Sequence, residues 1–255
     1  MILCSANPLS IIKAALLAQI HHDLPCIKGD QESLGLFKFT HAYDADSIAL
    51  TTLIPQIQDA CGLNAKWLLE HPGKILQKHI SANLRYRSTD KTLLIFAALE
   101  HTLRYGPVYC FTGRTTISQL FISRAKAIAH EIHQTLAFIR FLPASDTLLI
   151  AQPRLFHDTA EIIIRKFSCR YPGIRLVLLL EDQALMLEND QLLYQPAADF
   201  SRSIPHKAAF NKSWEAYHQA QCLAALHNIR LAQKAIPQKY WDWAANRSSQ
   251  EQQSN

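Results

Sequence analysis

The chain has 255 residues, of which 49% are hydrophobic and 18% are charged, and its formal net charge is +5. This length and composition place it among ordinary globular proteins, as one large domain or two smaller ones. No apolar run approaches the roughly 18 residues of a membrane-spanning helix, and the modest positive charge permits a polyanionic partner without requiring one.

The cysteines are scattered and predict reduced thiols in a cytoplasm. Because no C-x-x-C pair is present, a zinc ribbon and an iron–sulfur cluster triplet are excluded. The apolar N-terminal stretch is interrupted by Lys13 and follows no positively charged side chain, which predicts that it is not a signal peptide. The six cysteines are Cys4, Cys26, Cys61, Cys110, Cys169 and Cys222.

The first part of the chain, residues 1–112, is predicted to be mostly helical and shows no recognisable chemical motif. A loop with Pro25 and Gly29 follows the first helix, and Asp44 or Asp46 is the candidate cap of the second, which ends at Gly62. Gly106-Pro107 stops the last helix. The predicted helices cover residues 8–21, a segment ending at Gly62, 64–82 and 89–104.

The second part, residues 113–246, is predicted to contain a small, mainly antiparallel sheet with packed helices. Its elements are a long helix from Thr115, strands at 138–142 and 147–151, a helix at 156–170, a central strand at 175–180 and a hairpin at 184–187 and 191–194. A C-terminal helical segment follows, and the polar tail 247–255 is predicted to be disordered. The fold class is therefore α+β.

Glu131, His133 and Arg140 are the candidate catalytic residues, at the joint between the long helix and the first strand. In one interpretation Arg140 holds a phosphate and Glu131 orients it; in the other they form a buried structural ion pair. A zincin pattern needs two histidines one helical turn apart, H-E-x-x-H, whereas His130 and His133 are three residues apart. Because no third ligand suggests itself, we predict no metal and no other cofactor.

Glu181-Asp182 follows the central strand, where a carboxylate meets solvent and substrate, although acids there are also common turn residues. The chain contains no G-x-S-x-G, P-loop or G-x-G-x-x-G motif. No complete catalytic set can be assembled, which favours an accessory role.

The stretch 210–245 interleaves basic residues with large aromatics, a composition that grips phosphates and stacks bases. The alternative is a helical hairpin whose Trp and Tyr side chains pack on the core. The predicted nucleic-acid-binding residues are Arg140, Arg230, Lys234, Lys239 and Tyr240.

Three groups of residues resemble the DUF4130 family. The C-terminal group is Trp214, Tyr217, Asn228, Pro237, Tyr240 and Trp241; the second is Glu131, His133, Phe138, Arg140 and Phe141; a weaker third is Phe167, Arg170, Tyr171 and Pro172. The chain differs from the family pattern at Leu226, where the family usually has Arg, and at Ala184. The resemblance extends from about Ile117 to Trp243.

The resemblance implies a bacterial protein of DNA metabolism, associated with radical-SAM DNA repair proteins and with uracil-DNA glycosylase domains. We expect a nucleic-acid-binding accessory factor that works with such a partner. The alternatives are an enzyme acting on DNA or nucleotides through Glu131, His133 and Arg140, and a protein–protein scaffold.

Overall fold

The structure is a computed structural model that describes residues 1–29 and 43–203, with only the backbone described for 201–203. Within these residues the chain has seven α-helices and two β-sheets, which confirms the α+β class. It divides into two compact units, Met1–His130 and Glu131–Asn255. The boundary at 130/131 lies inside the helix Thr116–Phe138, later than the predicted boundary at 112/113. No helix in the described part is long and apolar enough to cross a membrane.

The first unit packs around helix α1 (Pro8–His21), which confirms the first predicted helix. Residues 10–18 of α1 are all buried. The side chain of Asn7 caps the helix by accepting a hydrogen bond from the backbone N–H of Ser10 at 2.9 Å, and Pro8 occupies the first turn, where its missing N–H costs nothing. Helices α2 (Leu50–Cys61), α3 (His71–Arg85) and α4 (Lys91–Tyr105) pack against α1, and α5 (Pro107–Phe111) packs against α4.

Two helix boundaries differ from the sequence prediction. The side chain of Asp44 caps a 3-10 turn at Ala45–Ser47, and α2 begins later, after Ala49. The helix expected over 64–82 is split into a 3-10 turn at Lys66–Leu69 and α3, which begins at His71 because Pro72 is suited to a first helical turn. Gly62 ends α2 with a φ of 69°, as predicted.

The first unit also contains a three-stranded parallel sheet that sequence analysis missed. Strand β1 (Ile2–Cys4) lies between β2 (Pro25–Ile27) and β3 (Tyr43–Asp44) and is parallel to both. The prediction of a loop around Pro25 is therefore wrong at 25–27. The strands are so short that no periodicity is visible in the sequence, and their pairing joins residues about 20 to 40 positions apart.

Helix α6 (Thr116–Phe138) confirms the long helix, but the strand predicted over 138–142 is wrong. The helix continues to Phe138, and the backbone N–H of Ile139 still donates to the carbonyl of Thr135 at 2.8 Å. Strand β4 (Leu142–Ser145) begins only after a short connection. The aromatic and β-branched residues here favour a strand locally, but the helical hydrogen bonds prevail over that weak preference.

The second unit is built on a five-stranded sheet in the order β4-β5-β6-β7-β8. Helix α7 (Ala160–Ser168) connects the parallel strands β5 (Leu148–Ala151) and β6 (Arg175–Leu179), and the other three pairings are antiparallel. The sheet is therefore mainly antiparallel, as predicted. The hairpin of β7 (Gln183–Glu188) and β8 (Gln191–Pro196) turns at Asn189 and Asp190, whose φ values of 48° and 62° suit a two-residue hairpin turn.

Strands β6 and β7 are buried on both faces. On one face Leu176, Leu178, Leu185 and Leu187 pack with residues of α7, which are Ile163, Ile164 and Phe167. On the other face Val177, Leu179, Ala184 and Met186 form a second apolar cluster, against which Phe200 packs. After β8 the chain forms a 3-10 helix at Ala197–Ser203.

Candidate functional site

Glu131 is a buried carboxylate that fixes the loop 152–159 between β5 and α7. It is 4% exposed. Its oxygens accept hydrogen bonds from the backbone N–H of Phe156 at 2.8 Å, the backbone N–H of His157 at 3.3 Å and the hydroxyl of Thr159 at 2.7 Å. Hydrogen bonds to a charged acceptor are among the strong ones, and burial makes their loss costly. Glu131 therefore acts as a structural anchor of this loop.

His133 lies on a different face of α6 from Glu131. Glu131 is buried, whereas His130 and His133 are exposed, because side chains two positions apart on a helix diverge. Within residues 1–29 and 43–203, no group of three or more His, Cys, Asp or Glu side chains is placed to hold a metal ion. The catalytic role of His133 stays a prediction.

Arg140 lies in the connection between α6 and β4 and not in the strand that was predicted at 138–142. The side chain is half-buried, and burial lowers the pKa of its guanidinium. A partly desolvated guanidinium interacts more strongly with an anion that reaches it than one in bulk water does. Its neighbour Phe141 belongs to an aromatic and basic surface feature of this unit.

This feature is a cluster of rings and cations at the C-terminal end of α7. The centroids of Phe141 and Phe167 are 4.9 Å apart, and Tyr171 lies 6.3 Å from Phe141 and 6.4 Å from Phe167. The guanidinium carbon of Arg170 lies 5.1 Å from the centroid of Phe167. We call the following set the basic–aromatic cluster: Phe141, Arg165, Lys166, Phe167, Arg170 and Tyr171. Two segments that resemble the family, one at the end of α6 and one at the end of α7, thus meet in three dimensions.

The cations of the cluster are on the surface. Arg165, Lys166 and Arg170 are exposed, and Tyr171 is 37% exposed. Cations in the last turn of a helix are favoured by the helix dipole, which is sufficient to account for Arg165 and Lys166. Arg170 and Tyr171 lie beyond the end of α7, so the dipole does not account for them. Cations beside a partly exposed ring such as Tyr171 can contact phosphates while the ring stacks on a base.

A second surface lies at the carboxyl edge of β5 and β6. Because these strands are parallel, the loop 152–159 and the turn after β6 leave the sheet at the same edge, where α/β sheets often bind ligands. Phe156 is 61% exposed there, Arg154 is exposed, and Glu181 and Asp182 are exposed in the turn between β6 and β7. The two carboxylates were predicted from the sequence, whereas Phe156, whose backbone N–H donates to the distant Glu131, was not.

In the first unit, a polar cluster at the ends of the short parallel strands was also missed. Lys28 donates to Asp44 at 2.9 Å and to Asp46 at 3.2 Å. The hydroxyls of Ser10 and Ser5 hold the pKa of Asp46 well below its usual range. One lysine is shared by two carboxylates, and these contacts tie the end of β2 to the end of β3, so we interpret the cluster as structural. Asp44 and Asp46 were predicted only as candidate helix caps, and their pairing with Lys28 was not predicted.

Arg124 and Asp90 form a second unpredicted pair in the first unit. Arg124 is 8% exposed, and one guanidinium nitrogen lies 2.9 and 2.8 Å from the two oxygens of Asp90. Arg124, followed by the hydroxyl of Ser88, lowers the pKa of Asp90 to about 2. The guanidinium also lies 4.9 Å from the ring centroid of Tyr86. This pair ties α6 to the start of α4.

The predicted C-terminal residues lie outside the described residues. They are Arg230, Lys234, Lys239 and Tyr240, with the family-like Trp214, Tyr217, Asn228, Pro237 and Trp241, and the departure at Leu226. The predicted tail 247–255 also lies there. Ala184, the other departure, is a fully buried residue of β7 that packs in the second apolar cluster.

Comparison with known proteins identifies the family of the chain. No curated protein matches the chain. The family model of DUF4130, described as a domain of unknown function, matches residues 89–245. The matched region contains α6, the five-stranded sheet and the basic–aromatic cluster, and it covers more than half of the chain. The chain therefore belongs to the DUF4130 family.

Proposed function

We propose that this protein is a nucleic-acid-binding accessory factor of DNA metabolism or repair that acts in the cytoplasm. It binds the nucleic acid through the basic–aromatic cluster and Arg140, together with the C-terminal residues Arg230, Lys234, Lys239 and Tyr240. Its partner is a radical-SAM DNA repair protein or a uracil-DNA glycosylase, as the family resemblance implies.

The observation that carries this proposal is the basic–aromatic cluster itself. Arg165, Lys166 and Arg170 give three exposed positive charges at one end of a single short helix. Tyr171 offers a partly exposed ring beside them. Phosphate neutralisation provides most of the affinity of non-specific nucleic-acid binding, and aromatic rings add stacking that is tolerant of sequence.

A catalytic function has less support in the described residues. The carboxylate of Glu131 is engaged by three donors from the loop 152–159, and His133 lies on another face of α6. A general base must reach the proton that it abstracts, which a buried and multiply hydrogen-bonded carboxylate does poorly. We therefore favour binding over catalysis through Glu131, His133 and Arg140.

The test is a binding titration with single-stranded DNA, comparing the wild-type protein with a variant that carries Arg165→Gln, Lys166→Gln and Arg170→Gln. We expect the affinity to fall about tenfold or more at low salt, because three phosphate contacts are lost. The matched control carries Lys66→Gln, Lys74→Gln and Lys78→Gln, three exposed lysines of the first unit, and removes the same charge.

Both variants should retain the thermal stability of the wild-type protein, since exposed charges contribute little to folding. If both variants lose the same affinity for single-stranded DNA, the loss is a general effect of net charge, and the cluster is then not the binding surface. A protein that binds no DNA but captures the candidate partner would favour the scaffold instead.

A further inference from the structure

The loop 152–159 presents one aromatic ring to solvent from a fixed backbone. Pro153 is buried and Leu155 is partly buried against the core of the second unit. Glu131 holds the backbone N–H groups of the next two residues, Phe156 and His157. The ring of Phe156 is nevertheless 61% exposed. The loop is therefore anchored on both sides of a residue that faces outward.

The surroundings of Phe156 limit what can bind there. Gln152, Arg154 and Asp158 of the same loop are exposed and polar. A protein–protein interface of ordinary size buries about 800 Å² on each partner around an apolar centre. A single ring in a polar surround does not provide such a centre. It does provide one flat apolar face, which is what a stacked nucleobase requires.

The charges at this edge of the sheet also favour a base over a phosphate. Glu181 and Asp182 follow β6 at the edge that the loop 152–159 shares. Carboxylates repel phosphates but accept hydrogen bonds from the N–H groups of bases, such as the amino group of cytosine or the ring N–H of thymine. The cations of the basic–aromatic cluster lie at the opposite, C-terminal end of α7. A nucleic-acid strand that runs along α7 would thus place phosphates at one end of the helix and a base at the other.

We propose that Phe156 is a stacking platform for an unpaired nucleobase, held in position by Glu131. The inference rests on the proposed nucleic-acid-binding function and names its ligand: a strand with accessible bases, single-stranded or locally unpaired. Because the backbone that carries the ring is already held by Glu131, it loses little conformational freedom on binding, which favours affinity.

The experiment compares two oligonucleotides of equal length, one of thymidines and one of abasic sites, which have the same phosphates but differ in bases. Wild-type protein, Phe156→Ala, Phe156→Tyr and Tyr194→Ala are titrated with each. Tyr194, which is 55% exposed on β8, is the matched control for loss of an exposed ring. Thermal melts check that each variant folds.

We expect Phe156→Ala to bind the thymidine strand about tenfold more weakly, within the range measured for loss of one stacking ring. It should bind the abasic strand as the wild-type protein does. Phe156→Tyr should restore binding, and Tyr194→Ala should match the wild-type protein on both strands.

Two results would overturn the inference while leaving the proposed function intact. In one, Phe156→Ala binds the thymidine strand as tightly as the wild-type protein does. In the other, Phe156→Ala binds both oligonucleotides more weakly by the same factor. If the wild-type protein binds neither strand, the proposed function fails, and the stacking platform fails with it.

Discussion

Replacing Glu131 by alanine should destabilise the second unit strongly. The change removes the carboxylate that accepts three hydrogen bonds. Its donors, the backbone N–H groups of Phe156 and His157 and the hydroxyl of Thr159, lose this acceptor. Each hydrogen bond to a charged acceptor contributes about 1.5–3 kcal/mol. These contributions do not add, because the loop relaxes once the first bond is lost. We expect a loss of about 3–5 kcal/mol in the free energy of unfolding.

Urea denaturation measures this loss, and hydrogen exchange shows where it arises. The amides of Phe156 and His157 should exchange much faster in Glu131→Ala, while those of the hairpin β7–β8 change least. Glu131→Gln keeps the shape and one acceptor oxygen, so its cost should be smaller. Glu181→Ala is the control, because Glu181 is exposed and its loss should cost within about 0.5 kcal/mol. A loss below about 1 kcal/mol for Glu131→Ala would refute the anchoring role.

Three further predictions concern other parts of the chain. Gly73→Ala should lower the free energy of unfolding by about 1–3 kcal/mol in a urea titration, because its Cβ would lie 2.0 Å from the backbone oxygen of Leu68; an unchanged midpoint would contradict this. The pKa of Asp90 is lowered to about 2, so its stabilising effect is complete above its ordinary pKa of 3.8 and is lost as the pH falls toward 2. Between about pH 4 and 2 the free energy of unfolding should therefore fall less in Asp90→Asn than in the wild-type protein. Parallel curves of unfolding free energy against pH would argue against the pair with Arg124. Alkylation followed by peptide mass spectrometry should modify exposed Cys169 before Cys4, because burial raises the pKa of the Cys4 thiol to about 12; the reverse order would show that the first unit opens readily.

Elements with local signals were predictable from the sequence. Helix α1 begins at Pro8 after the capping residue Asn7 and ends at His21, as its pattern predicted. The hairpin β7–β8 was evident because two apolar runs flank Asn189-Asp190, residues that tolerate positive φ. Each of these features is determined by neighbours within a few positions along the chain.

Features that depend on distant partners were not predictable. The pairing of β1 with β3 joins residues about 40 positions apart, and neither strand is long enough to show a period. The connection around Arg140 resembled a strand in composition, yet helical hydrogen bonds extend α6 to Phe138. The role of Glu131 is set by hydrogen bonds to residues 25 to 28 positions later, which no local pattern encodes.

The candidate site was predicted in part. Sequence resemblance singled out Phe141 and the segment with Phe167, Arg170 and Tyr171, but only the fold brings their rings within 4.9 to 6.4 Å of one another. Phe156 was overlooked because an exposed phenylalanine cannot be distinguished from a core residue by its identity alone.

The most direct test of the central claim is the salt dependence of binding to single-stranded DNA. The logarithm of the binding constant should fall linearly with the logarithm of salt concentration, because binding releases counterions from the phosphates. In the variant that lacks the cations of Arg165, Lys166 and Arg170, the slope should be smaller in magnitude by about 2. A wild-type slope near zero, or an unchanged slope in that variant, would contradict the claim that this cluster binds nucleic acid.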